Sequence, residues 1–337
     1  TRSDLDHVLR LLEQSIYTIA GALKITAWRT SEPVAYAQRT SGERLELAIG
    51  DSWGGLFDCA WFRFEGQMPP ECAGEEVVLL LDVNGEMCVY DAAGEPVRGL
   101  TNASSEYDYS LGRPGKRVLP LGNGFHGGEA LDVWADAGCN DLFGRLQDQG
   151  RIKDAWIAVC HPETRALYYD FEVLLDFIKT MPEDSARCQQ VRYALRDAAW
   201  LLASGFDAAA VQAARACLRP MLAQRGGDPA LRISAIGHAH MDLAWLWPLR
   251  ETRRKITRTM ATVLANMETY PDYHFGASQA QLFQWIKQDN PRLYERIKER
   301  VREGRFEVQG AMWVEADTNI SGGEALVRQV LLGKRFF

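Results

Sequence analysis

The first pattern along the chain is helical. In DLDHVLRLLEQSIYTIAGA, residues 4–22, apolar side chains recur at Leu5, Val8, Leu9, Leu11, Leu12, Ile16 and Ile19. Spacing of three and four lays such residues along one helix face. From about Trp28 to Leu175 the texture changes. Short alternating or wholly apolar runs (LELAI, CAWFRFEG, EEVVLLLDV, EMCVYDA, ALDVWADA, DAWIAVC, ALYYDFEVLL) are separated by Gly, Pro, Asn and Asp. Strands of that length with turn residues between them predict an antiparallel β-sandwich. Asn84-Gly85 and Asp91 to Gly94 read as turns. Residues 184–224 return to helical periodicity in two Ala-rich segments, divided by Ser204-Gly205 and closed by Gly226-Gly227. Ala favours helix, so a helical hairpin is expected to join two larger units.

Beyond the glycine pair the periods alternate. Ile233, Ala235 and Ile236 read as a buried strand that Gly237 ends. A helix is expected from about Arg250 to Tyr270, then a short strand at HFGAS, a helical stretch from Ala280 to Gly304, a strand at RFEVQGAM running into a loop, and a helix at GEALVRQVLLGKRFF. Strand and helix in alternation predict parallel strands joined by right-handed crossovers. Three such units leave much apolar surface uncovered, so the expectation is a chain that stops inside a domain. The division expected is an N-terminal helix over 1–27, a β-sandwich over 28–180, a helical linker over 181–228 and the first units of a parallel β/α domain over 229–337, a multidomain α+β protein.

Composition narrows the function classes. The chain has 337 residues, 47% hydrophobic and 25% charged, enough for sizeable cores. The formal net charge is −7 and the basic residues are scattered, so no nucleic-acid footprint is expected. No apolar run reaches the ~18 residues of a membrane span, and the first residues, TRSDLDHVLRLLEQ, lack the apolar centre of a signal peptide. The seven cysteines are odd in number and show no CxxC pair. That usage reads as free, mostly buried thiols in a reducing compartment, with the cytoplasm the expected location. A Walker motif is absent from the sequence, and the GxGxxG spacing of GNGFHG and the GxSxG spacing of GDSWG fall among the short sandwich runs, outside the strand–turn–helix context that would give them function.

The candidate chemistry lies in GHAHMDLAWLW, Gly237 to Trp247. His238, His240 and Asp242 stand two residues apart at an expected strand end, where α/β folds gather functional groups. In extended backbone such residues project to one side. Imidazole nitrogen and carboxylate oxygen ligate zinc at ~2.0–2.2 Å. The plain alternative is hydrogen-bonded strand-end residues, and spacing alone fixes neither the metal nor the reaction. A second strand end carries Trp313, Glu315, Asp317 and Asn319 at the same spacing. Carboxylates in a cleft ligate metal or act as acid and base. Aromatic faces at Trp245, Trp247 and Trp313 offer stacking area for the C–H faces of a sugar. Core packing is the competing account of each, and it is stronger for Trp247. His7, His161 and His274 read as solvated or satisfied structural residues, and the FHGG and GDSWGGLFD segments as turns.

HAHMDLAWLWPLRETRRKITRT, YHFGASQAQLFQWIK and GRFEVQGAMWVEADTNISGGEALVRQVLLGKRFF resemble, in order, the start of the catalytic domain of glycoside hydrolase family 38 α-mannosidases. GDSWGGLFDCAWFRFEG resembles, more loosely, the N-terminal β-domain of the cytosolic, vacuolar and bacterial branch. The resemblance implies a seven-stranded-barrel-like β/α catalytic domain, with a zinc ion held by His240 and Asp242 and His238 nearby. It implies that Trp245 stacks on the mannose ring and that Trp313 and Asp317 belong to the second active-site segment. It also implies retaining hydrolysis of terminal α-linked mannose from oligosaccharides, with zinc on the cis 2- and 3-hydroxyls. The family's nucleophile, its acid/base and a further histidine ligand are expected beyond Phe337, so no catalytic residue is expected within this chain, and the chain alone is expected to be inactive. An incomplete barrel exposes apolar surface, which leaves a homo-oligomer open. Two rival readings are a metal-dependent polysaccharide deacetylase-like hydrolase, which uses a water nucleophile, and a non-catalytic carbohydrate-binding module resting on the sandwich.

Overall fold

The computed structural model describes residues 2–101, 115–140, 149–225 and 232–337. Helix α1 (Arg2–Ser15) opens the chain, with Leu5 and Leu12 buried. It ends seven residues before the expected helix does, because Tyr17–Ala22 is the first strand, β1. Aromatic and β-branched residues at Tyr17, Thr18 and Ile19 suit extended backbone. The strands that follow are β2 (Lys24–Thr30), β3 (Glu43–Leu47), β4 (Ser52–Gly55), β5 (Cys59–Gln67), β6 (Val77–Asp82), β7 (Glu86–Tyr90), β8 (Pro96–Thr101), β9 (Val118–Gly122), β10 (Ala130–Gly138), β11 (Gln149–Arg151) and β12 (Asp154–Cys160).

They form the expected antiparallel sandwich. One sheet has the order β1-β12-β6-β9 and the other β3-β2-β5-β10-β7-β8, with β11-β4 as a separate ribbon. Phe62, Phe64, Leu79, Leu81, Met87 and Ile157 fill the space between the two sheets. The turn at Asp91 to Gly94 joins β7 to β8: the Asp91 carboxylate accepts from the backbone of Ala93 and Glu95, and Gly94 takes φ +80°. Asn84, at φ +53°, carries the chain from one sheet to the other.

Strand β6, VVLLLD, does not alternate because both its faces are buried. Val77, Leu79 and Leu81 point into the sandwich, while Val78 and Leu80 meet a helical layer. That layer contains α1, α2 (Pro162–Thr180), α3 (Ala186–Leu201) and α4 (Ala208–Leu222). The run ALYYDFEVLL, expected as a strand, lies inside α2. Its buried residues Leu167, Phe171, Leu174, Leu175 and Ile178 recur at three and four, a helical period. The hairpin of α3 and α4 is present, with Ser185 and Asp207 capping the two helix starts through backbone N–H bonds. The Gly226-Gly227 boundary lies outside the described residues.

Three parallel strands follow: β13 (Gly237–His238), β14 (Phe275–Ala277) and β15 (Phe306–Val308), in that order. Between and after them run α5 (Leu249–Thr269), α6 (Ala280–Asp289), α7 (Pro291–Arg302) and α8 (Gly323–Phe336). Phe275, Ala277 and Phe306 pack with Ile256, Met260 and Leu264 of α5 and with Phe283, Ile286 and Ile297 of α6 and α7. The expected buried strand at Ile233, Ala235 and Ile236 is not formed. β13 is an edge strand, nothing pairs with its outer side among the described residues, and Ile233 is 86% exposed.

Helix α5 is tied to the sandwich by a buried ionic cluster. Arg254 donates to both oxygens of Asp136 on β10, at 2.6 and 2.9 Å, and to Glu251. Lys255 and Arg258 donate to Glu86 on β7 at 2.5 and 2.9 Å, and Asn140 donates to Glu86 and Glu251 at 2.7 Å each. Burial raises the Glu86 carboxyl, yet the Arg258 and Lys255 charges outweigh it and hold the group down to about 2. Opposite charges this close are worth most where water is excluded. The cluster thereby fixes the helix that follows HAHMDLAWLW.

Candidate functional site

The carboxyl ends of β13, β14 and β15 lie side by side, since Gly237 pairs with Phe275 and Phe275 with Phe306. One side chain joins all three. Gln279, just beyond β14, is 4% exposed and sits at φ +70°. Its Nε2 donates to the Met241 carbonyl beyond β13 at 2.8 Å, and its Oε1 accepts from Glu315 N beyond β15 at 3.2 Å. A non-glycine residue in the left-handed region is strained by about 1–3 kcal/mol and persists where its surroundings over-determine it. Here two side-chain bonds hold it.

His240 stands at the centre of the opening. Its Nε2 is 3.3 Å from Asp242 Oδ1, and its Nδ1 is 3.2 Å from Glu315 Oε2. Glu315 Oε1 accepts from Ser278 Oγ at 2.6 Å. The tautomer with its proton on Nδ1 donates to Glu315 and leaves the Nε2 lone pair beside Asp242. Two ligands of one tetrahedral ion at ~2.0–2.2 Å stand roughly 3.4 Å apart, so the separation of 3.3 Å fits a donor pair on one metal. Among the described residues no group of three or more His, Cys, Asp or Glu side chains is arranged to hold a metal ion. Glu315 meets the far nitrogen of His240, where it can orient the ring.

The other residues of the motif divide. His238 Nδ1 is 2.9 Å from the Gly276 carbonyl, which makes it a satisfied strand-end histidine on that side. Trp245 is 51% exposed and meets Trp247 edge to face at 5.8 Å. Trp247 is a packing residue: its Nε1 donates to Thr252 at 3.0 Å and Lys255 lies over its ring.

Past β15 the spacing of two does not converge. Gly310, at φ +77°, turns the chain, and the segment that follows is not a strand. Trp313 is half-buried, its indole N–H donating to Gln281 and its ring edge-on to Phe336. Asp317 closes its own turn by accepting from Asn319 N at 2.8 Å, and among the described residues no hydrogen bond or ion pair joins it to His240. Glu315 does reach His240. Its sequence position, two residues from Trp313 and from Asp317, offers no signal that separates it from them.

Comparison with known proteins agrees with this architecture. Residues 230–337 match the Glycosyl hydrolases family 38 N-terminal domain, and residues 20–170 match the Alpha-mannosidase, jelly roll domain. By these matches the chain is similar to glycosyl hydrolases, and within that class to family 38 α-mannosidases. Alpha-mannosidase 2C1 of Mus musculus is 32% identical over 329 residues, covering 94% of this chain and 30% of the relative. The Homo sapiens 2C1 protein is 33% identical over 327 residues, covering 93% and 30%. Alpha-mannosidase of Saccharomyces cerevisiae is 31% identical over 317 residues, covering 87% and 28%. The chain spans about 30% of the length of the curated relatives it matches.

Proposed function

We propose that the protein to which these residues belong hydrolyses terminal α-linked mannose from oligosaccharides by a retaining, zinc-assisted reaction. The observation that carries the reading is the His240–Asp242 donor pair, 3.3 Å apart, at the mouth of parallel strands in a domain that matches family 38. His240 Nε2 and Asp242 Oδ1 would hold the zinc. When bound, it would supply a Lewis acid that orients the sugar hydroxyls and stabilises developing charge. Asp242 and His240 then set where the sugar ring lies. The exposed face of Trp245 offers an apolar wall for its C–H groups. Glu315 holds the His240 ring by its Nδ1 and is itself held by Ser278. Trp313 and Asp317 shape the neighbouring loop.

Retention requires a carboxylate nucleophile and a second carboxyl as acid/base, and neither role is assigned to a residue of this chain. The three parallel strands are read as part of a β/α barrel. Two protein donors are fewer than the three that catalytic zinc sites use, so these residues alone are expected to give no turnover. Seven cysteines without a disulfide support a reducing location such as the cytoplasm. No helix among the described residues is long and apolar enough to cross a membrane.

The test is release of an aryl alcohol from an aryl α-mannoside by the full-length protein, with zinc present. His240→Ala and Asp242→Ala are each expected to abolish it. Full activity in both would refute the ligand assignment.

A further inference from the structure

A cavity of about 620 Å³ opens where β7, β8 and the start of β9 face α5 and β13. Its wall includes four cations, Arg98, Lys116, Lys255 and Arg258, and one carboxylate, Glu86, and it runs on to His238 and His240 of the candidate metal site. The acids at this junction are already matched. Glu86 takes Lys255 and Arg258, while Asp136 and Glu251 take Arg254. Three bases thus face three acids, and Arg98 and Lys116 stand outside the count, with no ion pair among the described residues. Both are half-buried. Burial pulls the Arg98 guanidinium below its ordinary range, as expected for a cation stripped of water without a counter-ion.

A second observation is independent of that surplus. Arg258 is 6% exposed, and its Nη2 bonds Glu86. Its Nη1 is buried and has no hydrogen-bond partner. Buried donors in native proteins are almost always paired, and this one belongs to a residue that lines a cavity with two cations that have no ion-pair partner among the described residues. The volume exceeds a single small ion, so the ligand has room for an organic body attached to its charged group.

We propose that this cavity is a binding site for an oxyanion of the phosphate class, held by Arg258, Arg98 and Lys116. A guanidinium matches phosphate oxygens with paired N–H donors, and lysine supplies a compact positive charge. The ligand would neutralise the surplus of two and satisfy the Arg258 Nη1.

The test uses the full-length protein and inorganic phosphate. Calorimetric titration against chloride of equal ionic strength is expected to show saturable binding at one site per chain, with a rise in melting temperature. Arg98→Gln and Lys116→Gln are each expected to weaken binding about tenfold, roughly 1.4 kcal/mol, whereas Arg44→Gln, at an exposed pair with Glu46, leaves it unchanged. Arg258→Gln serves as a third variant, although its bond to Glu86 also matters for folding. Phosphate that acts no differently from chloride, or binding that survives both Arg98→Gln and Lys116→Gln, overturns the proposal. Neither readout involves mannoside hydrolysis, so its failure is separable from failure of the mannosidase reading.

Discussion

His240 Nδ1 lies 3.2 Å from Glu315 Oε2, and this contact joins residues 75 positions apart at the ends of β13 and β15. A carboxylate on the far nitrogen of a ligating histidine fixes the ring and its tautomer, and removing such a partner typically costs 10–100-fold in metal affinity. In the full-length protein, Glu315→Ala is therefore expected to weaken zinc binding by about that factor. Glu315→Gln keeps an acceptor oxygen and should lose less. A competition titration with a chelating dye measures both. Unchanged affinity in Glu315→Ala would remove the orienting role.

Trp245 differs from its neighbour Trp247 in what it holds together. Trp247 is bonded to Thr252, whereas Trp245 is half exposed at the rim. Trp245→Ala is expected to change unfolding free energy by no more than about 0.5 kcal/mol, the usual range for a surface site. Loss of a stacking face of this size should raise the Michaelis constant for an aryl α-mannoside in the full-length protein, by on the order of 1 kcal/mol. Denaturant unfolding and steady-state kinetics separate the two effects. A large stability loss with unchanged kinetics would make Trp245 a packing residue.

These two residues show where the sequence was readable. The sandwich, the α3–α4 hairpin and the strand–helix alternation after residue 232 all follow from local period and turn chemistry, which operate over a few residues. The failures share one cause, burial set by distant neighbours. Tyr17–Ala22 leaves the helical pattern because β12 offers it a partner, with Tyr17 opposite Cys160. ALYYDFEVLL becomes helix because its apolar stripe covers the outer face of β6 and β12. His240 and Asp242 converge as their spacing implied. The same argument fails at Trp313, Glu315 and Asp317, since it assumes extended backbone and Gly310 has already turned the chain. Which of the three reaches His240 depends on Ser278 and Gln279, contributed by another strand end.

The ionic cluster under α5 gives a stability prediction. Arg254 is 8% exposed and donates to both Asp136 oxygens. Removing one member of a buried pair leaves the other charge under-compensated and costs about 3–5 kcal/mol; Glu251 still faces Arg254, so the loss should lie toward the lower end. Asp136→Ala should therefore lower the urea midpoint substantially. Arg254→Met paired with Asp136→Leu should recover part of the loss, because it removes both charges. A double variant no more stable than Asp136→Ala would show that the pair itself, and not the orphaned charge, sets the energy.

Glu86 sets a pH window. Its folded carboxyl sits at about 2, below the ordinary 4.5 it regains on unfolding. A depressed carboxyl stabilises the fold fully above the unfolded value and loses that contribution as pH falls through the folded one. Stability should thus drop between about pH 4.5 and pH 2, by roughly 3 kcal/mol from this group. Glu86→Gln should flatten that part of the profile while lowering stability at neutral pH. Urea unfolding from pH 7 to pH 2 reads both. A variant whose acid slope matches the wild type would assign the loss to other carboxylates.

The GDSWGG segment supplies the sandwich core with its largest side chain, Trp53. Trp53 is fully buried, and its Nε1 donates to the Val83 carbonyl at 2.8 Å. Strand β11 crosses it at Gly150, where an added Cβ would stand 2.3 Å from Trp53 Nε1. Gly150 pairs with Gly54, so the two-stranded ribbon holds the close approach in place. Gly150→Ala must push the indole or the strand aside. Overpacking of this kind costs about 1–3 kcal/mol, and a displaced indole also loses its bond to Val83. The variant is expected to unfold at lower urea and to shift the Trp53 indole N–H signal in a proton–nitrogen correlation spectrum, which separates it from the nine other tryptophans. Wild-type stability together with an unshifted spectrum would mean that β11 yields without disturbing the core.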